Sequence, residues 1–477
     1  MSEKSSPTTD QVRGGHTPVA ISPYRAFLLR LHFYAGIFVG PFILVAALSG
    51  GLYAIAPTME QFVYRGYLHT ESAGDALALA DQVRAAQAQR PDLVATAVRP
   101  AVEPGATTRV MFADPTLGES ERHAVFIDPV TAAPRGELTV YGSSGALPLR
   151  TWIDQLHRSL HLGEPGRIYS EFAASWLWLI AVAGVLLWWN RFRRRSERIG
   201  AKSRLLTIDP GSRGRERTVN WHGVVGTWIV VGLVFLSATG LTWSRFAGAN
   251  VTDLRAALSW STPTVATSLD GSAGNGAAGH HAQPGIARGG PAPPAPRVAD
   301  LDGVLKAARD AGIGGDVEVS IPSDSQTAFT VAQTRQPWVM SNNAVAVDGA
   351  TGRVTDVVWF ADWPVAAKLA AWGIQLHMGL LFGIANQILL AGLAIGLVTV
   401  IVRGYLLWWR RRPTGGRRSG PSAPRRGVLG GLPPGAAVIV VLVAVGVGWF
   451  VPVFGVNLTA FVVIDVLVGL RQRPAPR

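Results

Sequence analysis

Apolar residues gather into six runs along the chain, at about 31–56, 171–189, 221–244, 378–402, 435–452 and 456–470. A helix needs roughly 20 such residues to cross a bilayer core of about 30 Å, so the first four predict transmembrane helices. The last run is short and carries Asn457 and Asp465, which predicts a C-terminal hairpin packed on the bundle. Between the runs lie two long stretches in which apolar and polar positions alternate. Ala76 to Ala88 and Leu301 to Ala311 show helical spacing; Ala328 to Ala332 and Ala344 to Val347 show strand spacing. Asp348-Gly349-Ala350-Thr351-Gly352 reads as a hairpin turn. Asp128 and Asp348 are expected to cap backbone N–H groups in such turns rather than to do chemistry.

The pattern divides the chain into a polar, disordered N-terminus (1–23), a first transmembrane helix (24–56) and an external domain (57–150). A segment with a second transmembrane helix (151–190), a basic loop (191–219), a third helix (220–244) and a second external domain (245–370) follow. The fourth helical segment (371–409), a second basic loop (410–433), the hairpin (434–470) and a tail (471–477) complete it. Within the second external domain, residues 262–297 are rich in Gly, Ala and Pro without periodicity and read as a disordered insertion.

Composition agrees with a membrane protein: 48% of the 477 residues are hydrophobic, only 16% are charged, and 16 are Trp. The net charge of +13 argues for topology rather than nucleic acid, because the arginines crowd beside apolar runs. Arg191, Arg193, Arg194 and Arg195 follow one run, and Arg410, Arg411 and Arg412 another. Such runs mark cytoplasmic loops, which puts both termini in the cytoplasm and the alternating domains outside. No cleavable signal precedes the first run, which is expected to remain as an anchor in the inner membrane. With no Cys, the chain has no disulfide, Fe–S cluster or covalent haem attachment.

The chain also repeats itself. Gln155-Leu156-His157 parallels Gln375-Leu376-His377 at a spacing of 220 residues, and Leu187-Trp188-Trp189 parallels Leu407-Trp408-Trp409 at the same spacing. Asp128 with Thr131 likewise parallels Asp348 with Thr351. Earlier in each half, His32, Gly36 and Ser49-Gly50 match His222, Gly226 and Thr239-Gly240 at a spacing of 190. The fold expected is therefore a mainly α polytopic membrane protein made of a duplicated helix–external domain–helix unit. It has two small α+β external domains and a C-terminal hairpin.

His32 with Ser49-Gly50, LHRSLHLGEPGR at 156–167, Asn220-Trp221-His222-Gly223 and LHMGLLFGIANQ at 376–387 resemble the PepSY-associated transmembrane proteins, often described as iron-regulated membrane proteins. The turns around Asp128 and Asp348 resemble those of PepSY-like domains. The likeness covers roughly residues 24–470 apart from the insertion. It implies, by analogy, a haem-containing ferric-siderophore reductase.

Of the ten histidines, His16, His280 and His281 lie in low-complexity sequence, and His69 and His123 have no partner across the repeat. His32 and His222 should lie near the cytoplasmic face, and His157 and His377 near the outer face. Ionisable residues in membrane helices are costly and mark functional sites, although an interfacial His can also simply satisfy a helix end. Paired imidazoles on facing helices are what haem b needs, which gives two haems with His32, His222, His157 and His377 on the iron. His161, one turn after His157, is an alternative outer ligand. Gly36, Gly40 and Gly226 would admit either a macrocycle or a neighbouring helix. Arg150, Arg158 and Arg167 are candidate contacts for an anionic chelate, and no catalytic side chain is assigned.

A continuous helix from His157 to Trp188 would run about 46 Å, so Gly163, Pro165 and Gly166 are expected to break it. The electron donor is a quinol or a soluble reductase, since no dinucleotide fingerprint is present. The resemblance implies a ferric siderophore or chelate as the acceptor. Two other readings stay open: a non-redox membrane module whose external domains bind a peptide or regulate a partner, and a metal or siderophore permease.

Overall fold

The computed structural model describes residues 22–199, 204–270, 298–410 and 431–471. Residues 1–21, most of the second basic loop, residues 271–297 of the expected insertion and the tail beyond 471 lie outside them, as do His16, His280 and His281.

Four helices are long and apolar enough to cross a membrane: α1 (Pro23–Val63), α5 (Glu164–Ile199), α6 (Gly214–Leu241) and α10 (Gly383–Trp409). Each of α1 and α6 packs against both α5 and α10, so α1 and α6 lie diagonally across a four-helix bundle. α1 holds Pro41 and Pro57 in its interior, which membrane helices tolerate when neighbours satisfy the freed backbone. α5 continues through Arg191, Arg193, Arg194 and Arg195 to Ile199, so the first basic segment starts as helix rather than as loop. Nothing in that sequence breaks a helix, and long Arg side chains reach water from a helix end.

Short helices ride on one end of the bundle: α2 (Arg65–Leu68), α4 (Pro148–Ser159), α7 (Phe246–Ala257) and α9 (Val365–His377). The chain breaks between α4 and α5, where Leu160, His161 and Gly163 all have positive φ. A side chain at Gly166 would collide with the Ser159 carbonyl, which is why glycine stands in that bend. α9 and α10 are separated in the same way, with positive φ at Gly379 and Gly383. The expected break is therefore present, and it turns α4 back against α1. The Glu60 carboxylate accepts the Leu147 N–H at 2.7 Å just before α4 and pairs with Arg150 at 3.2 Å. Glu171 does the corresponding work for α7, accepting the N–H groups of Phe246 and Ala247.

Beyond these helices stands one antiparallel sheet. Its strands are β1 (Val94–Arg99), β2 (Thr108–Ala113), β3 (Glu121–Ile127), β4 (Pro134–Tyr141), β5 (Val317–Ser320), β6 (Phe329–Gln333), β7 (Ala344–Val347) and β8 (Val354–Val358). The order β4-β3-β2-β1-β5-β6-β7-β8 joins the four strands of the first expected α+β domain edge to edge with the four of the second. β1 pairs with β5, so eight strands share one sheet. α3 (Leu79–Gln89) and α8 (Leu301–Asp310) cover one face of it. Leu79, Val83 and Ala86 from one helix and Leu301, Val304 and Ala308 from the other close over Val98, Val110, Phe329 and Val345 in a single core. The opposite face turns toward the bundle, where Met111, Phe126 and Leu147 pack with Tyr64 and Tyr67.

The start of the expected insertion has defined partners. Ser268 forms an isolated bridge with Thr327, and Ala328 N–H donates to Thr267 O at 2.7 Å, so these residues lie against the chain just before β6. α11 (Pro434–Phe450) and α12 (Pro452–Arg471) form the C-terminal hairpin. It docks through Phe454 on Trp176 at 4.7 Å, Asn250 Nδ2 donating to Phe450 O at 2.9 Å, and an ion pair of Arg30 with Asp465.

Candidate functional site

His32 and His222 come from the diagonal helices α1 and α6, and their ring centres lie 6.0 Å apart with planes at 79°. Each ring bonds through Nδ1 to a backbone carbonyl of the next helix in the bundle. His32 reaches Ile180 O on α5 and His222 reaches Val400 O on α10, both at 2.9 Å. Ile180 and Val400 stand at the same 220-residue spacing as the sequence repeat.

A carbonyl inside a helix is normally covered by the side chain one turn later, because Cβ atoms lean toward the N-terminus. One turn after these carbonyls the residues are Gly184 and Gly404. A Cβ at Gly184 would sit 2.8 Å from His32 Cε1, and one at Gly404 would sit 3.5 Å from His222 Cε1. The two glycines open the carbonyls to the rings.

The second pair lies at the sheet end. His157, on α4, has its Nδ1 3.0 Å from Ser49 Oγ, and His377, on α9, has its Nδ1 2.6 Å from Thr239 Oγ1. Both hydroxyls belong to membrane helices, and each is followed by a glycine. A Cβ at Gly50 would come within 2.9 Å of His157 Cε1, and one at Gly240 within 3.8 Å of His377 Cε1. Tyr53 stacks on His157 at 6.5 Å, and Trp243 meets His377 edge-on at 5.4 Å. Both rings stand at the sheet end, His157 against α1 and His377 against α6. Along α1, His32 and Ser49 are separated by about 26 Å at the helical rise, so the two pairs occupy opposite ends of the bundle.

The hydrogen-bond network assigns one tautomer to all four rings. A carbonyl only accepts, so Nδ1 of His32 and His222 carries the proton. The Ser49 hydroxyl donates to Val45 O at 2.9 Å and that of Thr239 to Phe235 O at 2.8 Å. With the hydroxyl protons placed on those carbonyls, the oxygens present lone pairs to the imidazoles, and Nδ1 of His157 and His377 donates as well. Every Nε2 then bears a free lone pair, the state in which imidazole binds a metal.

With ring centres 6.0 Å apart, His32 and His222 would be the two side chains to hold one metal at this end of the bundle. With two imidazoles per pair and no third His, Cys, Asp or Glu grouped with them among the described residues, the donor set suits the axial positions of a haem.

His161 is exposed, with positive φ, and lies against Trp152 at 4.9 Å; it is His157 that takes the hydroxyl. His123 bonds Glu137 at 2.9 Å and Arg90 at 2.9 Å, and His69 joins an isolated bridge to Ala106. Gly40 packs against Tyr405 of α10, while Gly36 has nothing near it. The glycines against the imidazoles are thus Gly184, Gly404, Gly50 and Gly240, rather than Gly36, Gly40 and Gly226. Of the three arginines considered as chelate contacts, Arg150 is only 5% exposed and is held by Glu60. Arg158 is half-buried and donates to the Tyr141 hydroxyl at 2.6 Å, and Arg167 pairs with Glu164 at 3.4 Å.

Sequence reasoning missed Gly184, Gly404 and the acceptors of all four Nδ1 protons. The glycines stand at the repeat spacing inside segments already matched, so a search for paired small residues finds them. A backbone carbonyl leaves no such trace.

No curated protein matches the sequence. A protein-family model described as PepSY-associated TM region matches residues 29–411, a span holding all of the four membrane helices but the first six residues of α1, together with the sheet and His32, His157, His222 and His377. The chain belongs to the PepSY-associated transmembrane family.

Proposed function

We propose that this membrane protein carries two b-type haems and passes electrons across the inner membrane to ferric siderophores or related ferric chelates at its outer face. The observation that carries the reading is the four imidazoles, paired at two depths, each with Nδ1 occupied and Nε2 free. We further infer that the two halves derive from one duplicated unit, since the Nδ1 acceptors recur at the spacings of the sequence repeat. The Arg-rich end of the bundle then faces the cytoplasm and the sheet faces outward.

His32 and His222 would hold one haem and His157 with His377 the other. A bound haem supplies reversible one-electron transfer. The chain's own part is to fix ring orientation and tautomer through Ile180, Val400, Ser49 and Thr239, and to keep water from the iron with apolar walls. A quinol oxidised to quinone releases two electrons and two protons, enough to reduce two ferric ions; a soluble reductase is the other donor class. Iron held by hard oxygen ligands is bound less tightly once ferrous, so reduction would release it from the chelate.

The test is a pyridine haemochrome assay with iron counting on the purified chain. Two haems per chain are expected, falling to one in His32→Ala and to one in His377→Ala. Colourless protein from haem-replete cells would refute the proposal and favour a binding module.

A further inference from the structure

Where α5 runs out of apolar sequence, a cleft of about 300 Å³, counting its open mouth, lies between α5, the start of α6 and the stretch just before α6. Trp188, Arg191 and Arg195 line it from α5, Arg204 and Asp209 from that stretch, and Asn220 from α6. Two indoles hold the stretch in place: Trp188 Nε1 donates to Leu205 O at 3.0 Å and Trp228 Nε1 to Leu206 O at 2.9 Å. The Trp188 ring also fills the space over Gly223, next to His222, so the cleft backs onto the basic-end histidines.

Charge around the cleft does not cancel. Arg195 bonds Glu216 at 2.8 Å and stands 3.6 Å from Asp209, while Arg191 reaches Glu216 only at 3.7 Å. Among the described residues Arg204 meets no carboxylate, so three guanidiniums share two carboxylates. At the floor, Asn220 is only 3% exposed, and its Nδ2 has no hydrogen-bond partner. An amide nitrogen only donates, and a buried donor left unmet is costly. The cleft therefore lacks an acceptor at its floor and negative charge at its walls. Its enclosed part holds a single oxygen-sized group. A larger ligand enters by one atom and leaves the rest at the mouth beside Arg191 and Arg204, both exposed.

We propose that this cleft binds a phosphate group, with one oxygen on Asn220 Nδ2 and the others on Arg191 and Arg204. Guanidinium forks match phosphate oxygens in shape as well as charge. The end of an apolar span flanked by indoles is where lipid headgroups lie, and basic pockets between membrane helices take anionic headgroups. The site is separate from the haem reading and stands without it.

Full-length protein in a neutral detergent, free of haem and loaded with it, is titrated calorimetrically. The probes are short-chain phosphatidic acid, the diacylglycerol with the same chains, and inorganic phosphate. Phosphatidic acid should bind at one site per chain, more weakly as salt rises, and the diacylglycerol should not bind there. Arg204→Gln and Arg191→Gln should each weaken binding by about tenfold or more. Arg204 lies on the surface, so its variant tests the site without disturbing the fold. Asn220→Asp keeps the size of the side chain but sets a carboxylate where the phosphate oxygen belongs, and should abolish binding. Inorganic phosphate that displaces the lipid would show that the free anion suffices; phosphate that fails to displace it would assign the site to a lipid headgroup.

Equal affinity in wild type, Arg204→Gln and Asn220→Asp would overturn the inference. So would no saturable binding of either phosphate, several equivalent lipids per chain, or diacylglycerol binding as tight as that of phosphatidic acid. Phosphatidic acid binding that vanishes when haem is loaded would also overturn it, since the cleft would then receive the porphyrin's own carboxylates. The visible spectrum of the same samples reports haem separately, so the two readings can fail independently.

Discussion

The two histidine pairs reach the same protonation state by different routes. At the basic end of the bundle, His32 and His222 donate to main-chain carbonyls, which no side-chain substitution can delete. At the sheet end, His157 and His377 donate to the hydroxyls of Ser49 and Thr239, which one substitution removes. A carbonyl site depends on access, and hence on the glycine one turn later; a hydroxyl site depends on the residue itself. The basic end should therefore respond to added bulk and the sheet end to lost polarity.

The largest effect expected from this contrast is at Gly184. A methyl group there meets His32 Cε1 at 2.8 Å, closer than carbon atoms tolerate, while one at Gly404 meets His222 at an ordinary 3.5 Å. His32 is held by Ile180 O, so its ring must give up that bond or its position. Gly184→Ala should empty most of the basic-end site, and Gly404→Ala should leave it nearly full. Haem content and the reduced spectrum of each variant decide the matter. Equal occupancy in the two would mean that access to the carbonyl does not control the site.

A smaller effect is expected where the hydroxyls are removed. Thr239→Val keeps the shape of the side chain but leaves the Nδ1 proton of His377 without its acceptor, and Ser49→Ala does the same to His157. Losing such an outer partner lowers metal affinity by roughly 10–100-fold. Haem should leave the sheet-end site at lower apohaem-scavenger concentration, with the basic-end spectrum unchanged. A shift of both sites together would break the comparison.

This contrast also explains what could be seen in the sequence. The four membrane helices, the helical and strand spacing of the sheet domain and the four matched histidines were legible, because burial and repeated motifs both act on residue type. The acceptors at Ile180 and Val400 were hidden because any residue has a carbonyl. The joining of β1 to β5 was hidden because Ala97 and Ser320 are far apart in sequence and carry no pairing signal of their own. Arg150 misled for a related reason. A charge in sequence reads as exposed, and only the approach of α4 to α1 shows that Glu60 takes it out of water. Thr267 to Leu269 read as insertion because the Gly, Ala and Pro bias that follows them hid so short a pairing, which only tertiary contact with Gln326 to Ala328 reveals.

The mildest expected effect concerns what supports each end. The basic-end rings hang on membrane helices and main-chain carbonyls, while the sheet end sits under a domain whose two strand sets are joined by a charged residue. Burial alone would raise the Glu318 carboxyl above its ordinary value of 4.5, but Arg99 and Arg122 hold it down to about 2. A carboxylate with a depressed folded value stabilises the fold fully above its unfolded value, and that stability disappears as pH falls from about 4.5 to 2. Glu318→Gln should therefore lower the thermal midpoint of the sheet at pH 7, by a loss on the order of 2 kcal/mol. The gap from wild type should narrow as pH falls below 4 and close only below about pH 2, where the wild-type residue is itself mostly protonated. The spectrum of a haem at the sheet end should follow that unfolding before the basic end responds. Equal midpoints for variant and wild type at pH 7 would show that the β1–β5 joint holds without its ion pairs, and that the two ends differ less in their support than the charges imply.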